Sequence, residues 1–163
     1  MKNKLAKKRA AGFTLIEYVI VILVMSLIIG IFAAMLVQGT KAFNFAVVRE
    51  TLMTEAEAAV ERMTREIRSL VSPGHIIEAG SDELSFADAH GNVIRYFESG
   101  GKLFRNDNLF SENLQSLSFN YLDSGNNPVE EDYTDIRIIE VKLVLSRGGK
   151  EVEIESRIRP RNF

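Results

Sequence analysis

The sequence predicts an α+β chain, with one long N-terminal helix packed on a C-terminal antiparallel β-sheet domain. Three observations predict it. An uninterrupted apolar run, Tyr18 to Val37, is 20 residues long. A stripe of apolar residues at helical spacing continues from Phe45 to Leu70. From His75 onward the apolar period switches to two, with glycine pairs at the turns.

The inventory implied by 163 residues is one hydrophobic segment and one modest domain. Cysteine is absent, which removes any disulfide framework or zinc-ribbon spacing. The net charge of −2 hides an asymmetry. Residues 1–12 carry Lys2, Lys4, Lys7, Lys8 and Arg9 with no acid, and these five cations leave −7 for the rest. An acidic body argues against a nucleic-acid surface, which needs clustered Lys and Arg.

Taken in order, the first element is the apolar run. Twenty residues suffice for a helix to cross a hydrocarbon core of about 30 Å. The run exceeds the roughly 7–15 residues of a secretory signal core, and no small-x-small cleavage site follows it. With the basic residues all ahead of it, the N-terminus is expected in the cytoplasm and the remainder outside. The plainer reading is an uncleaved signal anchor.

Glu17 stands against that reading. It is the single charge between Phe13 and Val37, and a carboxylate in a spanning helix costs on the order of a few kcal/mol and usually has a partner. No Lys, Arg or His lies nearby on the apolar side. A cut between Gly12 and Phe13 would create a partner, the α-amino group of Phe13, four residues away on the same helical face. The same amine could pair with Glu17 of a neighbouring chain. At ~4 Å and an effective dielectric of ~20, such a pair attracts by about 4 kcal/mol before desolvation, enough to position one subunit against another.

These residues carry a resemblance. Lys7-Lys8-Arg9-Ala10-Ala11-Gly12, then Phe13-Thr14-Leu15-Ile16-Glu17 and an apolar helix, resembles the N-terminus of type IV pilins and type II secretion pseudopilins. It covers about the first 40 residues. The resemblance implies a pilin-like fold, cleavage after Gly12 by a membrane-embedded prepilin peptidase, and N-methylation of Phe13. It gives Lys7, Lys8 and Arg9 the part of leader and Glu17 the part of neutralising an adjacent subunit's N-terminus during assembly. The implied partners are other pilin or pseudopilin subunits, the peptidase and an inner-membrane assembly platform. The implied location is a single pass through the inner membrane with a periplasmic C-terminal domain, then the filament. Two features depart from the family pattern: Tyr18, where an aliphatic residue is usual, and the lack of a proline in the membrane half, where Gly30 and Gly39 are the soft points.

Beyond Gly39 the helical period persists. Phe45, Val48, Leu52, Ala56, Val60, Met63, Ile67 and Leu70 form one apolar stripe, read as a core face for the domain that follows. The minority reading is a free-standing coiled coil, although the stripe is not strictly heptad. Pro73-Gly74 stops a helix expected from about Phe13 to Val71. The expected divisions are a leader over 1–12, a membrane and assembly helix over 13–37, its amphipathic continuation over 38–72, and a β domain over 73–163.

The β domain is expected to hold six or seven antiparallel strands. Residues 83–87 and 93–97 flank a turn at Asp88–Asn92. Gly100-Gly101 turns the chain into Lys102–Arg105. Leu117, Phe119 and Tyr121 alternate with polar residues. In the last hairpin Val141, Leu143 and Leu145 face Val152, Ile154 and Ile158 across Gly148-Gly149, with Glu151, Glu153, Glu155, Arg157 and Arg159 outward. Ile136 and Ile138 are out of phase with Val141, which predicts a bulge near Ile139. The element order and the ending Arg159-Pro-Arg-Asn-Phe163 look like the larger minor subunits, the J-type pseudopilins and W-type minor pilins.

No catalytic constellation is legible. His75 and His90 are read as loop residues, without a Ser, Cys or second His at a useful spacing. Hydrolase elbows, phosphate-cradling glycine loops and helical zinc motifs are absent, and no cofactor is expected. The loop from Asp123 to Asp135 offers hard oxygen ligands, with Asp123, Asn126, Glu130 and Asp132 as calcium candidates against a solvated turn; the spacing is not that of an EF-hand. The function expected is structural, not enzymatic: a minor pilin or pseudopilin acting in filament initiation or at the tip. The alternative is a signal-anchored periplasmic binding domain that does not polymerise.

Overall fold

The computed structural model describes residues 12–129 and 132–161. The leader cations Lys7, Lys8 and Arg9, and Glu130 of the acidic loop, lie outside the described residues. One helix, α1 (Leu15–Arg68), precedes eight strands among the described residues, an α+β arrangement. The strands are β1 (Ile76–Ala79), β2 (Glu83–Ala87), β3 (Val93–Ser99), β4 (Lys102–Arg105), β5 (Asn108–Ser111), β6 (Leu114–Leu122), β7 (Ile138–Arg147) and β8 (Lys150–Ile158).

The chain divides into two compact units, one ending at Asn44 and one beginning at Phe45. In the first, the helix is apolar on every face, and its large side chains from Leu15 to Val37 are all exposed. It is long and apolar enough to cross a membrane.

In the second unit α1 becomes amphipathic and packs on the sheets. Leu52, Ala56, Ala59, Val60, Met63 and Ile67 are buried, and Leu70 follows just past the helix end. Burying each of the large members contributes about 1.5–3 kcal/mol relative to exposure. Of the expected stripe, Val48 packs at the margin of the core, while Phe45 stays half exposed beneath the Lys150 ammonium, 4.8 Å from its ring centroid. The helix ends three residues before the expected Val71. Ser69 and Leu70 donate their amides back to Glu66 and Ile67 in a tightened last turn, and Pro73–His75 forms a short 3-10 turn into β1.

The strands form two antiparallel meanders, β1-β2-β3-β4-β5 and β6-β7-β8. Their inner faces share one core with the helix stripe, including Leu84, Phe86, Tyr96 and Leu103 from the first sheet and Phe119, Val141, Leu143 and Leu145 from the second. The Tyr121 hydroxyl on β6 donates to the carbonyls of Gly80 (2.9 Å) and Glu83 (3.3 Å), tying the second sheet to the β1–β2 turn. Gly148 and Gly149, at φ 59° and 73°, supply the left-handed pair that the β7–β8 turn requires.

The expected bulge near Ile139 is absent. β7 pairs in unbroken register from Ile138 to Val144 with β6 and from Ile139 to Arg147 with β8. Ile139, Val141, Leu143 and Leu145 share the inner face. Ile138 lies on the opposite face, buried in a hollow that it lines together with Asn126, Arg157 and Arg159. Ile136 precedes the strand and enters the core from a turn. The irregularities fall instead at Ile76/Glu78, Leu103/Phe104 and Leu114/Ser116. Short β1 and β5, which carry too few residues to show a period, bring the strands to eight.

Candidate processing and assembly site

Gly12, Phe13 and Thr14 precede the helix in non-helical backbone, and Leu15 is its first helical residue. Thr14 is the N-cap and Glu17 the third helical residue. The Thr14 amide donates to Glu17 Oε2 at 2.8 Å and the Thr14 hydroxyl donates to the same oxygen at 3.1 Å. The Glu17 amide faces Thr14 Oγ1 at 3.4 Å and donates to the Thr14 carbonyl at 3.1 Å. This is a capping box, a reciprocal pair that satisfies amides which the helix itself leaves orphaned.

The geometry gives Glu17 a neutral local partner beside the charged one expected from a neighbouring subunit. The carboxylate lies in the first turn, where the helix dipole favours an anion, and its partner is Thr14. The Thr-x-x-Glu signal was present in the sequence and was missed. Phe13 is 74 % exposed, with its ring 6.0 Å from that of Tyr18 in an edge-to-face pair. Tyr18 is therefore the aromatic neighbour of Phe13.

The acidic loop behaves as a set of turns. Asp123 accepts from the amides of Gly125 (2.7 Å) and Asn127 (2.8 Å) and from the Asn127 side chain (3.0 Å). These bonds, the Asn127 side chain's foremost, hold its carboxyl below the usual range. Asp132 is lowered likewise by the Thr134 hydroxyl and amide. The Asn126 side-chain oxygen accepts from Arg157. The oxygens a calcium ion would need are thus engaged locally, and a guanidinium beside one of them opposes a cation. Among the described residues no three His, Cys, Asp or Glu side chains gather to hold a metal. Glu130, the fourth calcium candidate, lies outside them.

His75 does have a serine partner, contrary to the expectation. Its Nδ1 lies 2.8 Å from Ser72 Oγ, three residues back in the same turn. The contact closes the turn that leads into β1. His90 sits exposed in the Asp88 turn.

Sequence reasoning also missed the polar lock between helix and sheet. Glu66 of α1 accepts from Tyr96 Oη (2.6 Å), from Arg105 Nε (3.0 Å) and from Arg62 Nε (3.2 Å). Burial pushes the Glu66 carboxyl up, but the bonds from Arg105, Tyr96 and Arg62 together outweigh it and leave it below its ordinary value. Burial, then the Glu66 carboxylate, raise the Tyr96 phenol. Only the tertiary structure brings Glu66 and Arg105, far apart in the chain, to one point.

No family model, curated protein or solved structure matches this chain.

Proposed function

We propose that this chain is a minor pilin or pseudopilin, a structural subunit of a type II secretion pseudopilus or a type IV pilus that acts in filament initiation or at the tip. One observation carries the reading. The run Gly12-Phe13-Thr14-Leu15-Ile16-Glu17 stands at the start of a helix whose apolar residues through Val37 are exposed in the single chain and need a covering. Lipid covers such a surface before assembly, and neighbouring helices cover it afterwards. In this reading the chain crosses the inner membrane with its N-terminus cytoplasmic. Prepilin peptidase cuts after Gly12 and methylates Phe13. The assembly platform then moves the helix into the filament core.

Glu17 has two successive partners in this mechanism. In the precursor it caps the helix through Thr14. After cleavage the Phe13 amine of a neighbouring subunit offers a charged partner, which attracts far more strongly in a low-dielectric core than a neutral amide does. The chain acts by assembly, not turnover. Intact mass and N-terminal sequencing of the membrane-fraction protein test this. A start at N-methyl-Phe13 is expected. A Met1 start in cells with active prepilin peptidase overturns it.

The capping box favours a second reading. A glutamate that satisfies its own helix terminus has a use without any neighbour. A signal-anchored periplasmic domain that never polymerises would retain it, and the same sequencing experiment separates the two.

A further inference from the structure

The C-terminal end of α1 and the end of the chain together build a cleft that neither forms alone. The Arg161 amide donates to the Arg68 carbonyl at 3.5 Å, and the preceding Pro160 is buried. This return brings Arg161 beside the last helical turn. The resulting cleft, about 280 Å³, is lined among the described residues by Arg65, Arg68, Ser69 and Arg161, three guanidinium groups with no acidic side chain.

Cations at a helix C-terminus have an ordinary explanation, since they complement the dipole and its orphan carbonyls. Here that explanation falls short. The Glu66 carbonyl already accepts from the Ser69 amide and hydroxyl, the Ile67 carbonyl from the Leu70 amide, and the Arg68 carbonyl from the Arg161 amide. Main chain and one serine thus engage the carbonyls of Glu66, Ile67 and Arg68, and Arg161 comes from outside the helix. Of the three arginines only Arg65 has an acid partner among the described residues, the exposed Glu61 one turn back at 2.8 Å. Arg68 and Arg161 have none. Gathering cations on a body that carries −7 beyond residue 12 opposes the average composition of that body.

We propose that this cleft docks an acidic segment of a partner protein through paired carboxylates. The planar fork of a guanidinium matches a carboxylate bidentately, and several forks around one cleft favour a run of carboxylates over a single one. The site lies in the second compact unit and does not depend on the filament reading.

The test uses the full-length chain in detergent and a hexaglutamate peptide carrying a benzophenone, with photo-adducts mapped by mass spectrometry at low salt. Adducts within 65–69 and 159–161 are expected, falling as salt is raised. The Arg68→Gln/Arg161→Gln double variant is expected to lose them by about tenfold or more, the Arg68→Lys/Arg161→Lys variant to lose less, and Arg147→Gln, outside the cleft, to match wild type. All of these positions are exposed, so the variants keep the fold. Adducts confined to the basic residues 1–12, or yields unchanged in the double Gln variant, overturn the proposal. Displacement of the peptide by inorganic phosphate, at concentrations where acetate of equal ionic strength has no effect, also overturns it and assigns the cleft to a phosphoryl group.

Discussion

At the scale of single residues, Glu17 and Glu66 do opposite work with the same carboxylate. Glu17 is exposed and capped by Thr14, so its charge and its hydrogen-bonding capacity are separable. A glutamine at this position of a capping box still accepts from the N-cap amide. Glu17→Gln is therefore expected to insert, be cleaved and keep the helix start, yet fail to enter filaments. Glu17→Val is expected to be inserted and cleaved with the same failure. Immunoblotting of sheared filament fractions reads both, and wild-type incorporation of either variant refutes a charge-pairing role. Glu66, by contrast, is held in place by three donors and half buried. Its folded pKa lies below the ordinary value of 4.5, so its stabilising contribution is full above that value and is lost as pH falls through the folded one. Glu66→Gln is expected to cost about 1.5–3 kcal/mol at neutral pH and to flatten the acid side of the stability profile, as measured by urea unfolding between pH 3 and 7 at about one-unit steps.

At the scale of elements, α1 changes character along its length because its surroundings change. Up to Val37 the large side chains are apolar and none is covered among the described residues; from Leu52 a single stripe is covered by two sheets. Met63 is fully buried in that stripe. Met63→Ala is expected to destabilise the β domain by about 2–5 kcal/mol through lost contacts and a residual cavity, read by denaturant unfolding of the whole chain. A cost below about 1 kcal/mol would indicate a free helix face in solution and restore the coiled-coil reading. The strands show the same logic. β7 buries Ile138 and Val144 on the face opposite the core, so strict alternation of burial fails there without a bulge near Ile139.

At the scale of the whole molecule, the apolar segment long enough to cross a membrane and the amphipathic segment that packs on the β domain belong to a single helix of 54 residues. Under the proposed function, processing at Gly12 is the step that commits the chain to assembly. Among the described residues nothing lies within 4 Å of a Cβ at Gly12, and its backbone conformation does not demand glycine. Gly12→Val or Gly12→Asp is thus expected to leave folding intact and to accumulate full-length precursor, detected as an unshifted mass in the membrane fraction. Normal trimming of either variant would mean that the leader has been misread.

What the sequence determined by itself is what local pattern encodes. The apolar run, the stripe from Val48 to Leu70, the glycine turns at 100–101 and 148–149, and the β6, β7 and β8 alternations each follow from periodicity or turn chemistry within a few residues. The candidate site at Gly12, Phe13 and Glu17 is equally local, and so is the Thr14 cap that a closer reading of the same residues would have found. Only the tertiary structure decided the division into a five-stranded and a three-stranded sheet, the burial of Ile138, the Glu66–Arg105–Tyr96 lock and the meeting of Arg68 with Arg161. Each of these joins residues far apart in the chain. Such contacts depend on where the strands turn and which faces the core claims, and no short-range period records that.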